Sequence, residues 1–167
     1  FKQKTAYEIY QCDWSSDVCS SDLHLLHAAL RAVLGDHVRQ AGSYVGPDRL
    51  RFDYTHPEAP TSEVLREVQR LVNAKVRDDI VRETIELPYE QAIERGAIAF
   101  FEDRYTANVR MVEYCEMHAH NPATGEHTAH CFSRELCGGT HLHSTGGVGM
   151  LQIVSDTSIG AGRSEEH

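Results

Sequence analysis

Apolar residues along the chain fall into two periods, and the switches between them predict most of the elements. Leu25, Leu26, Ala29, Leu30, Val33 and Leu34 recur at helical spacing, and Gly35 stands where a glycine commonly ends a helix. Leu50, Phe52 and Tyr54 alternate after a Gly46-Pro47-Asp48 turn signal, which predicts a half-buried strand over 49–54 paired with 42–45. Thr61 is placed to cap an amphipathic helix whose stripe holds Val64, Leu65, Val68, Leu71, Val72 and Val76. Residues 80–87 look extended, and Pro88 at a first helical position predicts a short helix that Gly96 stops. Strands are expected at about 108–114, 129–134 and 149–155. Helices and strands intersperse without strict β-α-β alternation, so the expected class is α+β with a mostly antiparallel sheet. Residues 1–22 carry neither period and predict no element.

Composition sharpens the boundaries. The 167 residues, 41% of them apolar, suit one domain, or one domain with tails. From His24 to Gly162 arginine dominates, with twelve Arg to the single Lys75, whereas the basic residues of 1–22 are Lys2 and Lys4. The codons suggest a reason. Val18-Cys19-Ser20-Ser21-Asp22-Leu23 can be written GTG TGC TCT TCC GAT CT, and Arg163-Ser164-Glu165-Glu166-His167 can be written AGA TCG GAA GAG CAC. The two strings are reverse complements over the shorter one. Residues 1–22 and 163–167 are therefore expected to be translated sequencing adapter, and residues 23–162 to be the domain. Within 24–162 there are 13 basic and 19 acidic side chains, a net −6 against −9 for the whole chain.

That acidic balance argues against wholesale coating of nucleic acid while leaving room for a local basic groove. No apolar run reaches the ~18–20 residues of a membrane span, and no apolar segment follows the first residues as in a signal peptide. Five cysteines, an odd and sparse set, favour a reducing compartment.

The strongest local feature is Cys137-Gly138-Gly139-Thr140-His141. A Cys and a His four apart across two glycines can turn onto one cation, and thiolate plus imidazole suits zinc. A buried cysteine beside a capping histidine is the structural alternative. His24 and His27 open the first helix; a helix-face pair with His24 needs a partner at position 20, which is Ser20.

His24-Leu25-Leu26-His27-Ala28-Ala29-Leu30-Arg31, Leu50-Arg51-Phe52-Asp53, Arg95-Gly96-Ala97 and Glu135-Leu136-Cys137-Gly138-Gly139-Thr140-His141 resemble the editing domain of alanyl-tRNA synthetases. Thr145-Gly146 and Gly149 before the last strand fit as well. The resemblance covers nearly all of 24–162. It implies one zinc ion on His24, Cys137 and His141, with the family's fourth ligand, a histidine, replaced here by Ser20. It implies that Gln40 belongs to the editing pocket, and that the reaction is hydrolysis of the ester joining serine or glycine to the end of tRNA(Ala). The pocket glutamine would supply hydrogen bonds rather than move protons. A cytoplasmic parent ligase is implied, with ATP and magnesium used only in an aminoacylation domain absent from this sequence. Thr140, between the ligands, is a second candidate for contact with substrate, against the plainer role of fixing its loop. A free-standing trans-editing hydrolase and a non-catalytic zinc-stabilised module are the alternatives.

Arg31, Arg39, Arg49 and Arg51 are candidates for acceptor-stem phosphates, with a solvated polar face as the equal alternative. One stretch departs from the family's pattern. Residues 115–131 hold Cys115, His118, His120, His127, His130 and Cys131 around an Asn121-Pro122 turn. A second metal site is conceivable on ligand types, but the spacing matches no compact finger. An elongated hairpin with exposed histidines is the expectation.

Overall fold

The helix expected from the Leu25–Leu34 stripe is α1 (Ser21–Leu34), closed by a bond from Gly35 N–H to the carbonyl of Arg31. The alternation around Phe52 becomes β3 (Leu50–His56), paired antiparallel with β2 (Arg39–Val45). In this computed structural model residues 3–11, 20–46, 49–99, 105–117 and 129–159 are described. The remaining elements are β1 (Gln3–Gln11), α2 (Ser62–Arg77), β4 (Arg82–Pro88), α3 (Tyr89–Glu94), β5 (Asn108–Met117), β6 (Ala129–Leu136) and β7 (Leu151–Ile159). A 3-10 turn at Thr145–Val148 precedes β7.

Two antiparallel sheets carry the strands, in the orders β2-β3-β1-β7 and β4-β5-β6. The class is α+β, as the pattern predicts. Helices α1 and α2 cover the first sheet: Leu25, Leu26, Ala29 and Leu30 meet Leu50, Phe52 and Tyr54, with Val68, Val72 and Val76 of α2 beside them. Each of the leucine, valine and phenylalanine side chains among them, fully buried, contributes roughly 1.5–3 kcal/mol. Thr61 caps α2 as expected, its side chain accepting from Val64 N–H.

Helix α1 is shared between the sheets. Tyr114 of β5 donates from its hydroxyl to Ser21 Oγ at 2.7 Å, and the N–H of Leu142 donates to the same oxygen at 3.0 Å. The N-terminus of α1 is thus fastened to the second sheet and to the loop after β6. That arrangement positions the site.

Two expectations are corrected. Residues 1–22 carry regular structure: Gln3–Gln11 form a strand between β3 and β7, and Ser21 and Asp22 are buried in α1. Thr5, Tyr7 and Ile9 in fact alternate with Lys4, Ala6 and Glu8, a short strand pattern of β-favouring residues inside an otherwise polar stretch, and its backbone groups complete the ladder. Pro88 ends β4 and caps α3 from outside rather than occupying its first turn (φ −56°, ψ 141°). Among the described residues no helix is long and apolar enough to cross a membrane.

Candidate metal centre

The site is built where β6 ends. Cys137 N–H donates to the carbonyl of Arg110 on the neighbouring strand, and the chain then turns back across the start of α1, where Ser20 N–H donates to the carbonyl of Thr140 at 2.9 Å. Two guanidinium groups fix the turn from outside: Arg110 Nη1 donates to the Gly139 carbonyl at 2.8 Å and Arg82 Nη1 to the His141 carbonyl at 2.9 Å. Gly139 is required by close approach, because a Cβ there would collide with Ser20 Oγ.

This geometry brings His24, Cys137 and His141 together, with one donor atom from each within 4.8 Å of the others. The rings of His24 and His141 lie 4.8 Å apart, centroid to centroid. His24 is buried, Cys137 and His141 half-buried. Among the described residues, His141 has no hydrogen-bond partner for either ring nitrogen apart from its contact with the Cys137 sulfur, and both nitrogens are shielded from solvent. Shielded imidazole nitrogens beside a thiolate are the donor set of a borderline-soft divalent cation.

Behind the cluster sits Glu135, 2% exposed. Its carboxylate contacts Nδ1 of both His24 and His27, the latter at 2.9 Å. With Nδ1 of His24 turned to Glu135, Nε2 is the nitrogen left for a cation, the usual arrangement in which a carboxylate orients a ligand histidine. Burial alone would raise Glu135, but the charge and hydrogen bond of His24, then those of His27, bring it down to about 2. Burial would lower His24, yet Glu135 and the Cys137 sulfur raise it to about 10. Burial would likewise raise the Cys137 thiol. Hydrogen bonds from His141 and His24, the charge on His24 and the Gly139 N–H at 3.4 Å outweigh it and bring the thiol down to about 5. A thiolate held near neutral pH is the state a metal ligand needs.

The other candidates are placed less centrally. Ser20 lies against the 137–141 turn, beside Gly139. Thr140 is exposed, and its carbonyl holds the start of α1. Gln40 lies in β2 of the other sheet, its amide donating to Ser43 Oγ at 3.0 Å, where the β2–β3 ladder shifts register between Gln40 and Gly42. Arg31 is turned inward, donating to the carbonyl of Val38 at 3.0 Å and to Asp36 Oδ1 at 3.1 Å. Arg51 pairs with Asp53 at 3.1 Å, and Arg39 and Arg49 are exposed.

Sequence reasoning missed Glu135, Arg82 and Arg110 as parts of the site. A signal for Glu135 existed: Ser133 and Glu135 alternate on β6, two polar residues on a face that packs toward α1. The cysteines of the 115–131 stretch depart from the reduced state expected for this chain, since Cys115 and Cys131 are disulfide-bonded. The reason is register. They are opposite one another across β5 and β6, just past a shift between Tyr114 and Cys115. The hairpin arms reach Met117 and Ala129, and His130 is exposed; His118, His120 and His127 lie outside the described residues.

Comparison with known proteins adds a family. Residues 109–164 match the family described as threonyl and alanyl tRNA synthetase second additional domain. The chain is 49% identical over 146 residues to alanine–tRNA ligase of Roseiflexus castenholzii, covering 83% of this chain and 16% of that protein. It is 44% identical over 142 residues to the enzyme of Acidithiobacillus ferridurans and 48% over 142 residues to that of Desulforamulus reducens, each time covering 85% of this chain and 14% of the relative. The chain therefore spans about one sixth or less of the length of the curated relatives it matches.

Proposed function

Because this chain belongs to the alanyl-tRNA synthetase family, as a segment containing its second additional domain, we propose that residues 23–162 are the editing domain of a cytoplasmic alanine–tRNA ligase. Residues 1–22 and 163–167 are, in this reading, adapter-derived ends. The reaction is hydrolysis of the ester that joins serine or glycine to the terminal adenosine of tRNA(Ala). Aminoacylation with ATP and magnesium belongs to parts of the parent outside this chain. The observation that carries the reading is the convergence of His24, Cys137 and His141 on one point, inside a segment 44–49% identical to these ligases.

The donor set fits zinc, and Ser20, where the family's fourth ligand would fall, lies against the same turn beside Gly139. Bound there, zinc would supply a Lewis acid that orients the aminoacyl group or polarises its carbonyl. The remaining work belongs to the chain. Glu135 holds the His24 ring in one orientation through Nδ1. Arg82 and Arg110 fix the loop carbonyls, so the 137–141 turn is rigid before substrate arrives. Gln40 offers an amide at the irregular point of β2, a kind of position where a strand re-aims a side chain, and Thr140 offers an exposed hydroxyl beside the ligands. Polar groups that hydrogen-bond a substrate hydroxyl discriminate well for serine, which has the hydroxyl that alanine lacks.

The test is deacylation of Ser-tRNA(Ala) by the Ser20→His protein with its zinc content measured alongside. Turnover that disappears in the Cys137→Ala variant is expected. A zinc-loaded Ser20→His protein that leaves Ser-tRNA(Ala) intact would sink the hydrolase reading in favour of a zinc-stabilised binding module.

A further inference from the structure

The pair Cys115 and Cys131 lies outside the His24–Cys137–His141 cluster; a carboxylate oxygen of Glu113 lies within 4.8 Å of both sulfurs, and a guanidinium contacts them from β6. The two residues face each other on β5 and β6, are joined by a disulfide, and are only half-buried. Arg134, three residues along β6, directs Nη2 at Cys131 Sγ at 2.9 Å and lies 3.9 Å from Cys115 Sγ. The same guanidinium is held in place by Glu113 Oε2, which accepts from Arg134 Nε at 2.6 Å. A guanidinium on a sulfur stabilises the thiolate, which makes that cysteine both a competent nucleophile and a good leaving group. Such a disulfide is easily exchanged. A bridge kept only to brace the hairpin has no need of a cation on its sulfur.

We propose that Cys115 and Cys131 form a reversible redox site that exchanges with low-molecular-weight thiols and disulfides, with Arg134 activating Cys131. In the oxidising direction the Cys131 thiolate attacks one sulfur of an external disulfide, forming a mixed disulfide and releasing one external thiolate. Cys115 then attacks the Cys131 sulfur of that mixed disulfide, closing the protein bridge and releasing the second external thiolate. Two protein thiols are oxidised, one external disulfide is reduced to two thiols, and the two protons from the cysteines pass to the released thiolates. Reduction runs the same steps in reverse. In a reducing compartment the pair rests as two thiols and closes under oxidant load.

The site is tested by equilibrating the full chain across ratios of reduced to oxidised glutathione, quenching with acid, alkylating free thiols and mapping the peptides. Cys115 and Cys131 are expected to lose alkylation together in one two-electron step, with Cys137 joining neither. Arg134→Gln should slow closure about tenfold and Arg134→Lys should restore most of the rate, while Cys115→Ser should trap glutathione on Cys131. A pair that stays alkylated, or stays blocked, at every ratio would overturn the site. Closure as fast in Arg134→Gln as in the parent, or Cys115→Ser without an adduct, would overturn the assigned chemistry. Circular dichroism of each variant separates a rate effect from misfolding.

Discussion

Strand β6 has a sulfur chemistry at each end, and the two differ in what surrounds the sulfur. Beyond its C-terminal end, Cys137 meets two imidazoles, one of which is braced by the buried Glu135. Toward its N-terminal end, Cys131 meets another cysteine directly across the ladder and a guanidinium. One sulfur therefore faces two imidazoles, and the other a second sulfur, a guanidinium and the carboxylate of Glu113. A cysteine's fate here is decided by which neighbours the register and the turn deliver, within six positions along β6 and the turn that follows it.

The comparison breaks most completely by removing a ligand. Cys137→Ala or His141→Ala should reduce bound zinc from one per chain to none in the Ser20→His background, read by metal analysis after dialysis, with the Cys115–Cys131 bridge intact. Glu135→Gln comes next. It leaves His24 and His27 facing a neutral acceptor inside the protein, and removal of one partner of a buried pair costs about 3 kcal/mol, measurable by urea denaturation. Zinc affinity in that variant should fall about 10–100-fold. Reducing the Cys115–Cys131 bridge, which spans 16 positions, should lower unfolding stability by at most about 3 kcal/mol without changing zinc content.

A pH series sharpens the contrast further. Glu135 is lowered from 4.5 to about 2, so its contribution is present above 4.5 and is lost as pH falls toward 2. His24 is raised from 6.5 to about 10, so its contribution is present below 6.5 and is lost as pH rises toward 10. The metal-free protein should therefore draw most from this pair between pH 4.5 and 6.5, in denaturation curves compared with Glu135→Gln. Zinc must displace the proton on His24, so zinc uptake should release protons and strengthen as pH rises, read by calorimetry in buffers of different ionisation heat. The bonded sulfurs of Cys115 and Cys131 carry no proton to lose and should show neither trend.

Much of the frame was readable from pattern. Helices α1 and α2 follow from apolar stripes that must face a core, and Thr61 and Gly35 mark their ends by local backbone chemistry. The Cys137–His141 turn was readable for a related reason: its glycines and ligands are contiguous. Glu135 was harder, because its partners His24 and His27 are more than a hundred positions away and one residue of polarity on a strand has many explanations. The Cys115–Cys131 bridge depends on a register shift, which no local spacing encodes. Strand β1 was missed because its alternation, Thr5, Tyr7 and Ile9, is three positions long within a polar stretch, while its pairing with β3 and β7 joins distant parts of the chain.

The donors His24 and Cys137 are 113 positions apart in the chain, yet sit on one point. Any cation held there ties off a loop containing α2, the β2–β3 pair and all three strands of the second sheet, so it acts as a clasp as well as a reagent. The enclosed polypeptide could not unravel fully without α1 parting from the end of β6, which means opening the clasp. Escape of the ion and unfolding of the domain would then share one barrier, and the time a metal stays bound would report how long the fold stays closed.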